Sequence, residues 1–209
     1  MLVISFVDND ALLKLTACDL FWDVIALLGV QPTDVKVLAS TEFVIRGNKS
    51  IKQQYSEAVR TKAISLVKGF SKIPTVQANP FLSLQVPGLD LGELTLIHAA
   101  IAEPSFYLAT GDKRCLRALV NSPELGTARQ KLNGKVVCIE QLIAELIAVK
   151  GFETVRQKVV PARDCDTALK VAFGSGDQAQ EDNVLGALEQ YIQELRRDCP
   201  DLLMQFSGC

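Results

Sequence analysis

The chain has 209 residues, of which 48% are hydrophobic and 22% are charged, and its net charge is −2. Intrinsic disorder is excluded, because it requires low hydrophobicity and a high net charge, and the length suffices for one sizeable core. A strongly basic coat for nucleic acid is also excluded, although a local basic patch is not. No apolar run reaches the roughly 18 residues that a membrane span requires, so we expect no membrane association.

Cysteine and histidine usage narrows the chemistry. The six cysteines form no C-x-x-C pair, and His98 is the only histidine, which excludes a histidine-rich zinc site. Residues 1–7 form an apolar run that lacks a basic segment and meets Asp8, which predicts a buried strand and not a secretion signal. We therefore expect a cytoplasmic protein whose thiols are reduced.

Short apolar runs alternate with longer segments of helical periodicity along the first 150 residues. In the helical segments, apolar residues recur every three or four positions. Pro74, Pro80 and Pro87 predict a loop over 73–88. The predicted strands are 2–7, 35–39, 106–110 and 135–139. The predicted helices are 11–28, whose apolar run Asp19 and Asp23 break, one from about 41, 51–70, 91–102, 113–120 and 140–149.

The alternation of strands and helices indicates an α/β fold, in which a central parallel sheet is covered by helices on both faces. Strand signals stop after Gly151, and the remaining residues predict helices with a break at 174–176. We expect two parts: a domain over 1–150 and a helical C-terminal extension over 151–209 that packs on it.

Carboxylates stand where the predicted strands end. Ligands of open parallel sheets bind beyond the carboxyl ends of the strands, near a switch in strand order. If the strands 2–7 and 106–110 are neighbours, Asp8 and Asp112 face one crevice, which acids on the flanking helices can also reach. The acids concerned are Asp8 and Asp10 after the first strand, Glu42 after the second, Asp90 and Glu93 at the start of the helix 91–102, and Asp112 after the strand 106–110.

A carboxylate cluster of this kind suits a divalent cation, because like charges at close range otherwise drive one group to take up a proton. Mg²⁺ and Mn²⁺ prefer oxygen ligands, and a bound metal ion can activate a water molecule for displacement at phosphorus. A second interpretation stays open, since Asp10, Asp90 and Asp112 each stand where a helix N-cap is favoured. Asp90 and Glu93 even have the spacing of a capping box.

Four short segments, in their order along the chain, resemble the PIN domain family of metal-dependent ribonucleases. They are 7–13, 40–43, 90–97 with its D-x-G-E pattern, and 108–114, and the likeness spans roughly residues 1–150. The resemblance implies a compact three-layer α/β/α sandwich with a central parallel sheet.

The resemblance also implies a site and a reaction. Asp8, Glu42, Glu93 and Asp112 would bind one or two Mg²⁺ or Mn²⁺ ions, with Asp90 helping or replacing Glu93. These residues would position a water molecule that hydrolyses the phosphodiester bonds of RNA. The family likeness is further compatible with a protein partner such as an antitoxin and with a homodimer.

Basic residues offer candidate contacts with an RNA backbone. Seven basic residues stand against one acid between positions 46 and 72, and Lys49 and Lys52 are the candidates there. Lys113 and Arg114 are the other candidates. A solvated helix face would give the same pattern, so that interpretation stays open. Residues 177–201 carry seven acids against two arginines, so this end could bind a partner or cover the basic segment.

Two other functions remain as alternatives. Asp8-Asn9-Asp10 has the D-x-D form of haloacid dehalogenase-like phosphatases, whose first aspartate is the nucleophile and whose second is the acid and base. The segment 111–116, however, lacks the second acid of that family. The other alternative is a catalytically silent PIN-like scaffold that binds RNA or protein, since no further acid closely follows Asp112.

Overall fold

The computed structural model describes residues 3–74 and 80–206. Within them, a five-stranded parallel sheet lies between two layers of helices, which confirms the predicted α/β/α sandwich. The strands are β1 (Ile4–Val7), β2 (Val35–Leu38), β3 (Ser71–Ile73), β4 (Phe106–Thr110) and β5 (Val136–Cys138), and their order in the sheet is β3-β2-β1-β4-β5.

The four predicted strands are confirmed as β1, β2, β4 and β5, although β1, β2 and β5 are each shorter than predicted. Leu2 of the first predicted strand lies outside the described residues. The edge strand β3 was not predicted. Only Ile73 of its three residues is buried, whereas Ser71 and Lys72 are exposed, so no apolar run marks it. Residues 75–79 of the predicted loop also lie outside the described part of the chain.

Helices connect the strands and continue beyond the last one. Those of the first 150 residues are α1 (Asn9–Ala17), α2 (Phe21–Leu27), α3 (Thr41–Gly47), α4 (Lys49–Gln54), α5 (Glu57–Gly69), α6 (Leu91–Ile101), α7 (Lys113–Asn121), α8 (Gly126–Leu132) and α9 (Ile139–Lys150). The C-terminal extension contributes α10 (Phe152–Val159), α11 (Thr167–Ala172) and α12 (Glu181–Asp198).

Two predicted helices are each divided in the structure. The predicted helix 11–28 is wrong as one continuous element, although the interruption expected at Asp19 is confirmed: Asp19 has a φ of 53°, which ends the helical path between α1 and α2. The predicted helix 51–70 is also wrong as one element. Ser56 lies in extended conformation and caps α5, its hydroxyl accepting from the Val59 N–H at 3.3 Å.

Alternate side chains of the strands enter two hydrophobic clusters on opposite faces of the sheet. In β1, Phe6 belongs to one cluster and Val7 to the other. Helices α1, α2, α5 and α9 pack on the Val7 face, whereas α6, α7 and α8 pack on the Phe6 face. Both faces are therefore covered, so the ends of the strands are left as the place where a ligand can reach the sheet.

The C-terminal extension packs on both faces. Val184 and Leu188 of α12 join the Val7 cluster, whereas Ile192 and Leu195 of the same helix join the Phe6 cluster. The chain beyond α12 then pairs with the open edge of β5, where the Val136 N–H donates to the Leu202 carbonyl at 3.1 Å. The helical character predicted for this region is confirmed, while its division from the first 150 residues stays a prediction.

The structure also bears on the expectations about membrane spans and cysteines. None of the helices within residues 3–74 and 80–206 is long and apolar enough to cross a membrane. The five cysteines in that part of the chain, at positions 18, 115, 138, 165 and 199, are buried free thiols.

Candidate active site

The strand order reverses its direction between β1 and β4. The chain moves from β1 to β2 and β3 on one side of the sheet, and from β4 to β5 on the other. Strands β1 and β4 are parallel neighbours, with Val7 opposite Ala109, so the condition under which Asp8 and Asp112 face one crevice is met. A crevice at such a switch point is the usual ligand site of open α/β sheets.

A cavity of about 390 Å³ lies at this switch point. It brings together five of the acids, and four of these (Asp8, Asp90, Glu93 and Asp112) are sequence-predicted metal-site residues. Ser40, Val44 and Asn48 line its opposite wall. The full lining is Asp8, Asn9, Asp10, Leu38, Ser40, Val44, Asn48, Asp90, Gly92, Glu93, Leu96 and Asp112. We call this cavity the acidic pocket.

Asp8 directly follows β1 and is held from two sides. Its Oδ1 accepts from the Ala11 N–H at 2.6 Å, which caps α1, and its Oδ2 accepts from the Thr110 hydroxyl and from the Gly111 N–H at 3.3 Å. Burial of the carboxylate and the nearby charge of Asp10 raise the pKa of Asp8 to about 7. Asp8 can therefore carry a proton near neutral pH when no cation is bound beside it.

Asp90 and Glu93 form the capping box that their spacing indicates. The Asp90 carboxylate accepts from the Glu93 N–H at 2.8 Å, and the Glu93 carboxylate accepts from the Asp90 N–H at 2.7 Å. Burial, together with the charges of Asp90 and Asp112, raises the pKa of Glu93. Asp90 and Glu93 therefore both cap α6 and line the acidic pocket.

Asp112 directly follows the Gly111 that ends β4, and it caps α7. Its Oδ1 accepts from the N–H groups of Arg114 and Cys115 at 2.8 and 3.2 Å, and the Arg114 guanidinium reaches both carboxylate oxygens. Burial acts to raise the pKa of Asp112, but the hydrogen bonds from Arg114 and from the helix start outweigh it and lower the pKa. Asp112 is thus ionised across the neutral range.

Asp10 was open to interpretation as a helix cap, and the structure gives it another role. It lies in the first turn of α1, where Asp8 is the cap, and its Oδ2 is 2.6 Å from the Lys14 ammonium. The same ammonium is 2.7 Å from Asp166 of the C-terminal extension. Gly111 makes this packing feasible, because a Cβ atom there would overlap with Asp10 Oδ2.

Glu42 is not brought to the acidic pocket. Ser40, Val44 and Asn48, spaced by four residues, line the pocket, and Glu42 falls between them on another side of α3. Its carboxylate instead accepts from Arg46 at 2.8 and 3.0 Å, and this pairing lowers the pKa of Glu42. The structure therefore does not support the prediction that Glu42 belongs to the acidic cluster.

The four predicted substrate contacts fall into two groups. Lys49 and Lys52 are exposed on α4, next to the pocket residue Asn48. Arg114 is exposed over 85% of its side chain although it pairs with Asp112. Lys113, in contrast, is 2.5 Å from the buried carboxylate of Glu140, so its ammonium has a structural partner.

Two acids near the C-terminal end form salt bridges with α7, and not with the basic segment 46–72. Glu194 and Asp198 of α12 pair with Arg117 of α7 at 3.0 and 2.6 Å. Among the salt bridges between described residues, none joins an acid of 177–201 to a basic residue of 46–72.

Sequence reasoning missed three polar residues at the site. Lys14 stands four residues after Asp10, a spacing that indicates a helical ion pair and could have been noticed. Asp166 has no such signal, because it is far from the site along the chain. Asn9 also lines the pocket, and its buried Oδ1 accepts no hydrogen bond from the described residues.

The polar side chains of the acidic pocket fit a divalent cation that keeps several water ligands better than one that is coordinated entirely by protein side chains. Within residues 3–74 and 80–206, no three or more His, Cys, Asp or Glu side chains are grouped so that they could hold a metal ion. Mg²⁺ is usually held by only one or two carboxylates, with water and phosphate oxygens completing its shell. Carboxylates with a raised pKa, as at Asp8 and Glu93, gain from a neighbouring cation.

No protein-family model, curated protein or solved structure matches this chain.

Proposed function

We propose that the chain is a PIN-like, metal-dependent ribonuclease that hydrolyses RNA phosphodiester bonds in the acidic pocket. One observation carries the proposal: β1 and β4 are neighbours at the switch point, so Asp8 and Asp112 line one cavity together with Glu93. The likeness of four short segments to the PIN family supports it. A cytoplasmic location belongs to the proposal because of the cysteine usage of the sequence, and an antitoxin-like partner and a homodimer belong to it on the family likeness alone.

Asp8, Glu93 and Asp112 are the candidates from which one or two carboxylates, completed by water and phosphate oxygens, would hold Mg²⁺ or Mn²⁺. Asp90 supports Glu93 through the capping box. When bound, the ion supplies charge neutralisation at phosphorus and lowers the pKa of a water molecule. Because no side-chain nucleophile is required, the chemistry does not depend on His98. Glu42 is left out of this ligand set because its side chain lies outside the pocket.

The residues of the chain divide the remaining work. The Thr110 hydroxyl and the Gly111 N–H orient the Asp8 carboxylate, and Arg114 orients that of Asp112. The exposed guanidinium of Arg114 can also meet a phosphate oxygen, which would contact it next to the reacting bond. Asn9 offers an oxygen without a partner among the described residues, at the floor of the same cavity.

The mouth of the pocket suits a single RNA strand. Lys49 and Lys52 stand exposed beyond Asn48, and the backbone of a single strand binds such cations with a marked salt dependence. Phe43 of α3 is 76% exposed, which makes it available for stacking on a base. Phe43 lies on α3, which supplies Val44 to the pocket, and the two lysines lie on α4, which begins directly after the pocket residue Asn48.

A catalytically silent scaffold is the second candidate function, and one observation favours it. Asp8, Asp90 and Asp112 each cap a helix, so each carboxylate has a structural role without any metal ion. The phosphatase alternative has less support, since the Asp10 carboxylate that would serve as acid and base is paired with Lys14.

The test is cleavage of a labelled single-stranded RNA by the purified full chain with Mn²⁺, with Mg²⁺ and with EDTA. We expect cleavage with either metal ion, none with EDTA, and loss of cleavage in Asp8→Asn and in Asp112→Asn. Both substitutions keep an N-cap acceptor, so folding should survive. A folded wild-type chain that binds RNA but does not cut it under any of these conditions would favour the scaffold.

A further inference from the structure

The Lys14 ammonium is the most deeply placed cation beside the acidic pocket. Lys14 is only 7% exposed, an unusual position for a lysine unless its charge is matched. Its ammonium lies between two carboxylates, 2.6 Å from Asp10 Oδ2 and 2.7 Å from Asp166 Oδ2. One cation is thus shared by two acids that come from opposite ends of the chain.

Asp166 is fixed in place independently of Lys14. Its Oδ1 accepts from the N–H groups of Ala168 and Leu169 at 2.8 and 3.0 Å, which caps α11. Its Oδ2 is left to face the ammonium. Oδ1 of Asp166 therefore caps α11, and Oδ2 pairs with the Lys14 ammonium.

The backbone just after β4 leaves space for the ion pair of Asp10 and Lys14. At Gly111 a side chain is missing where a Cβ atom would overlap with Asp10 Oδ2 and would lie 3.1 Å from Lys14 Nζ. Any other residue at this position would push Asp10 and Lys14 away from the strand end. The absence of a side chain here thus lets the ion pair lie directly against the site.

The paired ammonium also borders open space. A second cavity, of about 310 Å³, is lined by Asp10, Lys14, Asp112 and Asp166. Asp10 and Asp112 line the acidic pocket as well, so the two cavities meet at these side chains. The ammonium therefore stands beside the acidic pocket, between the pocket residue Asp10 and Asp166 of the C-terminal extension.

Two carboxylates that face each other across a small gap need a cation or a proton between them. In nucleases with two metal ions, that cation would be a second divalent ion. We propose that the Lys14 ammonium takes this place, so that the site binds a single divalent ion and Asp10 is not one of its ligands. Resting on the proposed function, the inference makes Asp166 a positioning residue that acts on the site through Lys14.

This inference gives the C-terminal extension a role in the site. The extension supplies the second carboxylate that holds the ammonium, across more than 150 residues of sequence. Lys14 with Asp10 and Asp166 leaves one net negative charge, which is less than the two that the acids alone would present to a metal ion. The fixed ammonium therefore limits how many divalent ions the site attracts.

The experiment counts bound Mn²⁺ per chain by electron paramagnetic resonance of free Mn²⁺, using the full chain of wild type, Lys14→Gln and Lys14→Gln/Asp166→Asn. We expect Lys14→Gln to bind one more Mn²⁺ than wild type, because Asp10 and Asp166 are then free to take it. The double variant should return to the wild-type number. Equal binding by folded Lys14→Gln and wild type would overturn the inference.

Asp166→Asn alone provides a second variant that keeps the helix cap, since asparagine also accepts from the helix N–H groups. We expect it to bind as many Mn²⁺ ions as wild type, because Lys14 still holds Asp10. Loss of one Mn²⁺ would show that a metal ion already occupies this place in the wild type, which overturns the inference.

Lys14→Gln could be unstable without metal ions, because it leaves two facing carboxylates unpaired. In that case the melting temperature is measured with and without Mn²⁺. A rise on Mn²⁺ addition that exceeds the rise in wild type supports the inference, and a variant that stays unfolded with Mn²⁺ contradicts it. A wild type that binds no Mn²⁺ would instead count against the proposed function, whereas a wild type that binds two Mn²⁺ ions at the site would overturn the inference, which assigns it a single ion.

Discussion

Asp8 and Glu42 both follow a strand of the same sheet, yet only Asp8 lines the acidic pocket. Asp8 comes immediately after Val7, so the end of β1 fixes where it lies. Glu42 comes four residues after the end of β2, inside α3, where the phase of the helix decides its direction. A carboxylate at a strand end is thus placed by the sheet, whereas one in the next helix can turn away.

The same contrast extends to electrostatics. Burial and the neighbouring Asp10 raise the pKa of Asp8, whereas the Arg46 guanidinium lowers the pKa of the exposed Glu42. A carboxylate that is held out of water beside another acid is poised to accept a cation. One that is already paired with an arginine at the surface has less to gain from a metal ion.

The largest effect on stability is expected from Asp8→Asn. Because folding raises the Asp8 pKa from 3.8 to about 7, the wild type should lose stability as the pH rises through that interval, by about 4 kcal/mol in total. The asparagine variant does not titrate, so in EDTA it should become the more stable protein above pH 7. Urea unfolding at pH 4 and pH 8 measures this difference.

Glu42→Gln is the matched control for that experiment. The pKa of Glu42 is lowered by Arg46, so its stabilising effect is present above its ordinary pKa and is lost in acid. Its pH dependence should therefore have the opposite sign. If the free energy of unfolding of Asp8→Asn changes with pH in the same way as that of the wild type from pH 4 to pH 8, the raised pKa of a buried Asp8 is contradicted.

A smaller loss is expected from Gly111→Ala. Its Cβ atom would overlap with the Asp10 carboxylate, and forcing extra volume into a packed site typically costs about 1–3 kcal/mol. Gly47→Ala is the control, because nothing lies within 4 Å of a Cβ atom there and alanine favours helices. Thermal unfolding of both variants makes the comparison, and an unchanged Gly111→Ala would show that Asp10 moves aside freely.

The smallest effect is expected at the surface of α4. Lys49→Ala/Lys52→Ala should weaken single-stranded RNA binding and reduce the slope of log affinity against log salt by about 0.7 for each lost phosphate contact. Lys170→Ala, an exposed lysine of α11 that pairs with Asp164, is the control. Fluorescence anisotropy at several salt concentrations gives the slopes. An unaltered slope in the double variant would indicate that α4 is a solvated helix face that does not contact the RNA.

The sequence predicts the parts of this fold that local patterns control. Apolar runs mark β1, β2, β4 and β5, and the short edge strand β3 is missed because Ser71 and Lys72 are exposed. Periodicity finds the helices but not every interruption: an acid in an apolar run marks the break at Asp19, whereas the break at Ser56 is not predicted. Strand adjacency was needed to join Asp8 with Asp112, and the structure confirms it.

The site is predictable to a similar extent. Acids at strand ends and in the capping box are found from spacing alone, since both positions are fixed by local structure. The direction of Glu42 depends on where α3 begins, and the bounds of an element are the feature that a sequence pattern fixes least well. Asp166 depends on how the C-terminal extension folds back onto α1, and no local pattern carries that information.

The most direct test of the central claim compares metal-dependent RNA cleavage by Glu93→Gln and Glu42→Gln at saturating RNA. Both substitutions remove one carboxylate charge, but only Glu93 lines the acidic pocket. We expect Glu93→Gln to lose at least about 10- to 100-fold in the cleavage rate, as is usual for groups around a metal ion, and Glu42→Gln to stay close to wild type. A rate that falls in Glu42→Gln and persists in Glu93→Gln would contradict the account.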